Sequence, residues 1–262
     1  MGEMNRTLAI ANQKGGVGKT TVVLGLASAA DAAGDRVLVV DLDPQASSTW
    51  VLGIDPDPAA AGAADALAKR PIADAIKRST WGDRVDVLPA SSALQQYEGG
   101  KPRRLRRALR ALTATSAGNQ THRYDAILLD CPPSNAGLTT SALVAAQYTL
   151  VVVEPSSLGL RGIGALADTI DGVWDHLNPD LELSGVILNR VPAVSREAEL
   201  RIEELALIVG RSTIWEPHIP QRVILNRAVG ERRPVHSYGA RSAESSAVFD
   251  ALWQRVLATV GG

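Results

Sequence analysis

The sequence predicts a single α/β domain, in which a mostly parallel, twisted sheet carries helices on both faces. Two observations support this fold class. Apolar, strand-like runs alternate with helical patterns from one end of the 262 residues to the other, as in consecutive βαβ units. Hydrophobic residues make up 45% of the chain, which is enough for a large core, and no proline- or serine-rich linker divides it. We therefore predict one domain over residues 1–262.

The first predicted βαβ unit contains a phosphate-binding loop. A strand over Thr7–Ala11 leads into residues 14–21, and a helix that runs from Thr20 to Ala33 is closed by Gly34. The glycines of such a loop let backbone N–H groups surround a phosphate at the N-terminus of the helix. The predicted ATP-binding residues of this loop are Lys14, Gly15, Gly16, Val17, Gly18, Lys19, Thr20 and Thr21.

The two lysines of this loop are expected to have different tasks. Lys19 is placed to reach the terminal phosphates, and the hydroxyl of Thr20 is placed to ligate Mg²⁺. The second glycine comes early, at Gly16, and Lys14 precedes the first one, where an ordinary phosphate loop needs no lysine. We expect this additional cation to serve another phosphate group, such as one bound by a partner subunit.

Two later strands are followed by carboxylates that should meet the loop. The predicted strand Arg36–Val40 precedes Asp41 and Asp43, and the predicted strand Tyr124–Asp130 ends in an aspartate. Because the carboxyl ends of parallel strands meet at one edge of a sheet, we expect all three carboxylates near the phosphate loop. An unpaired carboxylate at the end of a buried strand is costly without a cation, so Asp130 should face the Mg²⁺ shell. For Asp41 and Asp43, capping of the next helix is the alternative.

The phosphate loop, residues 41–45 and residues 124–134 together resemble the ParA/MinD family of deviant Walker-type ATPases, and most closely its DNA-segregating ParA branch. By this resemblance, residues 124–134 are the Walker B strand and the switch region. The resemblance implies a Mg²⁺-dependent ATPase with a deviant Walker A motif. It also implies a catalytic set of Lys14, Lys19 and Asp43, in which Asp43 positions the attacking water and accepts its proton.

The resemblance extends to the metal and the base. It implies a metal set of Thr20, Asp130 and Asp41, with Asp41 holding Thr20 or a water bound to Mg²⁺. The strand Leu183–Arg190 and the segment His218–Pro220 look like the family's base-binding strands. The amide of Asn189 would then read the adenine edge, and Pro220 would pack against the ring. A side-chain cap or ordinary core packing is the alternative for each of these two residues.

Basic residues cluster in two segments, although the formal net charge is only −1. From Arg222 to Arg241 there are five arginines and His236 against only Glu231, and from Lys101 to Arg110 there are six cations and no acid. We favour DNA binding for the C-terminal segment, because the ParA proteins that this chain resembles bind DNA near that region. For the earlier segment we favour a solvated amphipathic helix with one apolar face. That face would consist of Leu105, Ala108, Leu109 and Leu112.

The C-terminal segment also departs from the family pattern. Relatives often have Ile-Pro-Arg-Asn and then Leu-Ser-Glu-Ala, whereas residues 219–222 are Ile-Pro-Gln-Arg and residues 225–228 are Leu-Asn-Arg-Ala. The arginine that usually follows the base-binding strand is displaced, and Arg196 is its nearest candidate. The predicted DNA-binding residues are therefore Arg222, Arg227, Arg232, Arg233 and Arg196.

The remaining segments carry structural predictions. The Ala/Asp/Pro-rich stretch Ile54–Ala68 is predicted to be a surface excursion, and residues 119–121 a polar loop. Residues 246–260 place their large apolar side chains on one side with a single cation, which favours a core-packing helix over a basic membrane anchor. The single cysteine, Cys131, excludes an internal disulfide, a paired-cysteine metal site and the iron–sulfur relatives of this fold.

The sequence therefore predicts a cytoplasmic, nucleoid-associated partition ATPase. No run approaches the roughly 18 apolar residues of a membrane span, and the phosphate loop begins too early to leave room for a signal peptide. The resemblance implies that ATP drives formation of a homodimer that binds DNA non-specifically and that a ParB-type partner stimulates hydrolysis. Three alternatives stay open: a MinD-like positioning ATPase, an orphan ParA that positions a protein cargo, and a metabolic synthetase or amidation enzyme.

Overall fold

A computed structural model describes residues 6–99, 101–116, 124–133 and 136–259. The strands are β1 (Arg6–Ala11), β2 (Val37–Asp41), β3 (Lys77–Arg78), β4 (Val85–Leu88), β5 (Ala126–Asp130), β6 (Tyr148–Val153), β7 (Glu182–Leu188) and β8 (Ile214–Trp215). Within the described ranges they form one sheet in the order β3-β4-β2-β5-β1-β6-β7-β8. Every neighbouring pair is parallel except β3 and β4. The predicted α/β fold class with a mostly parallel sheet is confirmed.

Helices connect the strands and cover both faces of the sheet. The α-helices of the described residues are α1 (Lys19–Ala33), α2 (Ser47–Val51), α3 (Ala63–Leu67), α4 (Pro102–Ser116), α5 (Ala136–Ala145), α6 (Ser157–His176), α7 (Arg196–Val209), α8 (Val223–Gly230) and α9 (Ala243–Thr259). None of them is long and apolar enough to cross a membrane. Gly34 ends α1 in the left-handed region, with φ of 90°, as its sequence position predicts.

The sheet separates two hydrophobic cores. Successive side chains of a strand point to opposite faces, so Leu8 and Ile10 of β1 join one core while Ala9 and Ala11 join the other. The first core holds the apolar residues of α1 and α9, and the second holds those of α3 to α7. This two-sided burial explains why β1, β2 and β5 are nearly continuous apolar runs.

The strand register brings three chain segments to one edge of the sheet. β5 lies between β1 and β2, with Ile10 and Asp41 both paired to Asp130. The phosphate loop therefore begins where both aspartates end their strands. This arrangement confirms that the loop and these carboxylates meet at the carboxyl edge of the sheet.

Two predicted helices have the expected apolar faces. In α4, Leu105, Leu109 and Leu112 are buried, as the amphipathic pattern predicts. In α9, Phe249 and Trp253 are fully buried, and Phe249 packs against α1 at Gly25, where any side chain would overlap its ring. The prediction that the C-terminal segment packs into the core is confirmed for the described residues.

Two expectations about irregular segments are wrong. Ile54–Ala68 is not a surface excursion throughout, because α3 buries its apolar side against the core and Gly62 lies close to the carbonyl of Pro89. His218–Pro220 is not a strand, since its pairing is limited to an isolated bridge between Pro220 and Val191. Around this bridge, the N–H of Ile219 donates to the carbonyl of Leu188 at 2.9 Å, and the N–H of Val191 donates to the carbonyl of Ile219 at 3.0 Å. Residues 119–121 lie outside the described residues.

Candidate nucleotide-binding site

The phosphate loop has the backbone that a glycine-rich loop requires. Gly16 and Gly18 have φ of 80° and 90°, in the left-handed region that favours glycine. Gly18 is also the residue that precedes α1, so the loop delivers backbone N–H groups to a helix N-terminus. A side chain at Gly18 would overlap the amide of Asn189 at the end of β7. The loop is therefore held between β1, α1 and β7.

Lys19 lies inside the loop and is 6% exposed. Its Nζ donates to the carbonyl oxygen of Lys14 at 3.2 Å. Burial lowers the pKa of Lys19, whereas the nearby charges of Asp130 and Asp43 raise it. A buried ammonium group beside the phosphate loop can pair with the terminal phosphates of a nucleotide. The side chain of Lys14, by contrast, is half-buried at the rim.

Asp130 is the carboxylate that fits a Mg²⁺ ion. Its Oδ2 accepts hydrogen bonds from Thr20 Oγ1 at 2.9 Å and from Ser48 Oγ at 2.6 Å. Its Oδ1 is buried and has no hydrogen-bond partner among the described residues. Burial raises the pKa of Asp130 to about 6, although the bonds from Ser48 and Thr20 and the charge of Lys19 lower it. The unpartnered carboxylate oxygen of Asp130 lies beside the hydroxyl of Thr20, and Mg²⁺ prefers oxygen ligands of these two kinds.

Asp41 contacts α2 rather than Thr20. The prediction that it holds Thr20 is wrong, because Thr20 donates to Asp130. Asp41 Oδ2 instead accepts from the backbone N–H and the hydroxyl of Thr49, both at 2.8 Å, and Oδ1 accepts from the N–H of Asp43 at 3.0 Å. These contacts cap the first turn of α2, which was the alternative. A role for Asp41 through a Mg²⁺-bound water stays a prediction.

Asp41 and Asp130 are both fully buried, but they have different neighbours. Burial, followed by the charge of Asp130, raises the pKa of Asp41 to about 8, against the hydrogen bonds from Thr49 and Asp43. The hydroxyls of Ser48 and Thr20 and the charge of Lys19 favour the ionised form of Asp130, whereas the charge of Asp130 disfavours ionisation of Asp41.

Asp43 lies at the surface side of the same edge. It is half-buried, and its Oδ1 accepts from the N–H of Gln45 at 2.9 Å. Its carbonyl oxygen accepts from the N–H of Ala46 at 2.8 Å, so the residue begins a tight turn before α2. The turn fixes the carboxylate near Lys19, whose pKa it raises. Its role in positioning water stays a prediction.

A cavity beside the loop can take a base. Its volume is about 250 Å³, and its lining includes Asn189 and Pro220, the two residues predicted to contact the base, together with Thr21 of the phosphate loop. Asn189 Nδ2 donates to the carbonyl of Val17 at 2.7 Å, whereas its Oδ1 is buried without a partner among the described residues. A buried acceptor without a donor is costly, and the exocyclic amine of adenine could supply one. This geometry fits the predicted adenine contact of Asn189.

Sequence reasoning missed two residues of this site. Ser48 donates to Asp130, and the adjacent serine and threonine residues after the aspartate motif were the available signal. Arg190 donates from Nη1 to the carbonyl of Gly16 at 2.6 Å and lines the base cavity. Its φ of 56° is unusual for a residue other than glycine, and such backbone strain concentrates at functional sites. Residues 189 and 190 together therefore hold two successive carbonyls of the loop.

The predicted DNA-binding arginines are more fully neutralised than the sequence indicates. Glu231 is not the only acid near them, because Glu244 and Asp55 come from other parts of the chain. The ion pairs are Arg222–Glu244 at 2.6 Å, Arg227–Glu231 at 2.6 Å and Arg232–Asp55 at 3.3 Å. The guanidinium of Arg233 lies over the ring of Tyr238 at 5.0 Å, and Arg196 is exposed at the start of α7. Arg222 also lines the base cavity.

Known proteins match the chain over most of its length. A family model described as an AAA domain matches residues 5–183. The sporulation initiation inhibitor protein Soj of Bacillus subtilis is 34% identical over 247 residues, which cover 94% of this chain and 96% of that protein. The chromosome partitioning protein ParA of Caulobacter vibrioides is 35% identical over 244 residues, which cover 92% of this chain and 90% of that protein.

A solved structure extends the similarity to three dimensions. It is that of cobyrinic acid a,c-diamide synthase from Mycobacterium smegmatis with bound ADP and magnesium. The TM-score is 0.76 at 30% sequence identity, and the match covers 96% of this chain and 93% of that chain.

Proposed function

We propose that this chain, which belongs to the ParA/MinD family of deviant Walker-type ATPases and within it to the ParA branch, is the ATP-driven switch of a DNA-partition system. The observation that carries the proposal is its 34% and 35% identity to the Soj and ParA proteins over at least 90% of each chain. The site geometry supplies the chemistry that such a switch needs. We place the protein in the cytoplasm, associated with the nucleoid.

In the nucleotide step, the loop holds the phosphates of ATP and Lys19 pairs with the terminal ones. Thr20 and Asp130 would hold Mg²⁺, which neutralises charge on the phosphates when it is bound. Asp130 is suited to this task because its Oδ1 is buried without a partner among the described residues. Asp43 positions the attacking water and accepts its proton. Placement matters most here, because phosphoryl transfer leaves little covalent work for the protein.

In the assembly step, two ATP-bound subunits face each other across their nucleotides. Lys14 lies at the rim of the loop, where its backbone is fixed by a hydrogen bond from its N–H to Asn12 Oδ1 at 2.9 Å. Its side chain forms no ion pair within the described ranges. In the homodimer this ammonium group contacts the phosphates in the partner subunit. Hydrolysis, stimulated by a ParB-type centromere-binding protein, releases the dimer.

In the DNA step, the dimer binds duplex DNA without sequence preference through Arg222, Arg227, Arg232, Arg233 and Arg196. The ion pairs of Arg222, Arg227 and Arg232 lie at the surface, where such pairs contribute little to stability, so DNA phosphates can replace the acids. A dimer doubles the number of contacts and makes the second set effectively intramolecular. This can raise avidity by roughly 10²–10⁴, and therefore tight binding requires ATP.

The DNA step is tested by fluorescence anisotropy on two labelled duplexes of unrelated sequence. We expect ATP to tighten binding to both duplexes equally, compared with ADP, and the Arg222→Ala/Arg227→Ala variant to lose affinity for both by the same factor. A variant of equal charge change, Arg78→Ala/Arg211→Ala, is the control, since both arginines are exposed and neither belongs to the predicted DNA-binding set. Equal affinity with ATP and ADP would contradict the proposal.

A metabolic amidation enzyme is the second candidate. It is favoured by the 30% identity to a structure named as a diamide synthase. Such an enzyme would use the same phosphate loop to activate a small carboxylic acid. Its ATP turnover would depend on that acid and would not respond to DNA.

A MinD-like membrane-positioning function is less well supported by the described residues. A membrane anchor needs an apolar helix face that is free to insert. In α9 the large apolar residues Phe249, Leu252, Trp253 and Val256 are fully buried. Its one cation, Arg255, lies over the ring of Trp215 at 5.1 Å.

A further inference from the structure

The outer surface of α4 carries a second cluster of cations, which we call the α4 arginine surface. It consists of Arg103, Arg106, Arg107 and Arg110, which surround an open cavity of about 380 Å³ together with Leu177. Three of these arginines are exposed, and Arg106 is half-buried. Their spacing places all four on one side of the helix.

The α4 arginine surface is poorly compensated by acids. Within the described ranges its only ion pair joins Arg106 and Asp180, at the long distance of 3.9 Å, and Asp180 is 82% exposed. Arg103 contacts the backbone carbonyl of His176, at the end of α6, at 3.5 Å. Burial and the charges of Arg110 and Arg103 lower the pKa of Arg106, although Asp180 opposes them. The cations therefore repel one another, which an anionic ligand would relieve.

The C-terminal arginines differ from this surface in their charge balance. Arg222, Arg227 and Arg232 each pair with a carboxylate at 2.6 to 3.3 Å. On the α4 surface, Arg107 and Arg110 have no ion-pair partner among the described residues. An incoming phosphate must displace an acid at Arg222, Arg227 and Arg232, whereas at Arg107 and Arg110 it need displace none of the described acids. The arginines with the fewest ion-pair partners among the described residues therefore lie on α4, which the sequence predicted to be a solvated amphipathic helix without a DNA contact.

The chemistry of α4 points to phosphates rather than to a lipid bilayer. Its apolar residues Leu105, Leu109 and Leu112 are at most 4% exposed, so no large apolar side chain of this face can insert into a membrane. From Arg103 to Arg110 the helix rises about 10 Å. Over that distance B-DNA presents about six backbone charges, one per roughly 1.7 Å of axis. Arginine also binds phosphates in a bidentate manner.

This surface lies toward the edge of the sheet opposite the nucleotide. Arg106 and Arg110 line a second cavity with Thr7 at the start of β1 and with Gln147, which precedes β6. The phosphate loop follows the other end of β1, about 20 Å away for a strand of six residues. A ligand on the α4 arginine surface would therefore leave the nucleotide face free for a partner subunit.

We propose that the α4 arginine surface is a second contact for the phosphate backbone of duplex DNA, and that it acts with or without ATP. This inference rests on the proposed function in one respect, namely that DNA is the phosphate-bearing ligand. In an ATP-bound dimer the two α4 surfaces would lie away from the shared face. One dimer could then contact two DNA segments at once.

The test is the salt dependence of DNA affinity for the ADP-bound chain, measured by fluorescence anisotropy. Each lost phosphate contact lowers the slope of log affinity against log salt by about 0.9. We expect Arg103→Gln/Arg107→Gln/Arg110→Gln to lower the slope by about 2 to 3 and to weaken binding about tenfold or more at low salt. The same substitutions to lysine should retain most of the affinity, because the charge remains. The control Arg78→Gln/Arg84→Gln/Arg211→Gln has the same charge change at exposed positions and should bind like the wild type.

The outcomes separate this inference from the proposed function. If the glutamine variant binds DNA with ADP like the wild type, or if neither binds, the α4 contact is wrong. If ATP still tightens DNA binding in that case, the proposed function stands. Displacement of DNA by poly-glutamate at the same charge concentration would assign the surface to an acidic protein and overturn the inference. Equal thermal stability and equal ATP turnover of the glutamine and lysine variants show that loss of binding does not come from misfolding.

Discussion

At the residue scale, hydrogen-bond partners divide the aspartates at the carboxyl edge of the sheet among different tasks. Asp41 receives three donors and is fully buried, so it holds α2 in place. Asp130 keeps one oxygen without a partner among the described residues and lies beside Thr20, which suits a metal. Asp43 is half-buried at the start of a turn, where water can reach it. The three aspartates therefore differ in role because they differ in burial and in the hydrogen-bond donors around them.

Two substitutions should separate hydrolysis from assembly. Asp43→Ala should bind ATP and dimerise but hydrolyse very slowly, because it loses the position of the water and keeps the phosphate contacts. Lys14→Ala should bind ATP and stay monomeric, because it loses the contact with the partner's phosphates. Light scattering with ATP, together with the turnover rate, measures both effects. Lys77→Ala, an exposed lysine of β3, is the control. A Lys14→Ala protein that dimerises like the wild type would show that the cross-subunit role is wrong.

The raised pKa of Asp41 predicts a pH dependence of stability. The folded chain keeps this proton up to about pH 8, whereas an unfolded aspartate loses it near pH 4. The folded state therefore binds more protons in this window, and the free energy of unfolding falls as the pH rises. The contribution is fully present below about pH 4 and is lost above about pH 8. Asp130 acts in the same direction up to about pH 6.

Calorimetry without nucleotide or metal between pH 5 and 8 measures this effect as a decline of Tm. Asp41→Asn should show a flatter decline, because the amide cannot titrate. Asp74→Asn, at an exposed position, should follow the wild type. A decline in Asp41→Asn as steep as that of the wild type would assign the pH dependence to other groups.

At the element scale, local patterns predicted most of the fold. The glycine positions of the phosphate loop fix its backbone, and the apolar face of α4 follows from spacing along one helix. Long-range contacts could not be predicted in this way. Arg232 pairs with Asp55, 177 residues away, and Asn189 reaches the carbonyl of Val17, 172 residues away. The charge balance of the C-terminal arginines and the second anchor of the loop depend on such contacts.

Packing of α9 against α1 supports the helix that follows the phosphate loop. Phe249 is fully buried against Gly25, so Phe249→Ala should leave a cavity and lower the free energy of unfolding by about 3–5 kcal/mol. Urea denaturation measures this loss. Val248→Ala, at the half-buried neighbouring position, should cost much less. Equal losses in the two variants would contradict the view that this contact holds the two helices together.

At the scale of the whole molecule, the fold separates a nucleotide face from the surface of α4. The base cavity and the phosphate loop lie at the carboxyl ends of the strands, whereas Arg106 and Arg110 lie near the start of β1. A formal net charge of −1 conceals this distribution. DNA contacts on both surfaces would let ATP control the tight contact while the weaker one persists.

The rate of ATP turnover, measured with and without duplex DNA and a ParB-type protein from the same genome, tests the central claim most directly. A partition switch should hydrolyse ATP slowly alone and faster when both are present, and a small carboxylic acid with ammonia should have no effect. A rate that ignores DNA and the ParB-type protein but rises with the acid would contradict the proposal and favour an amidation enzyme.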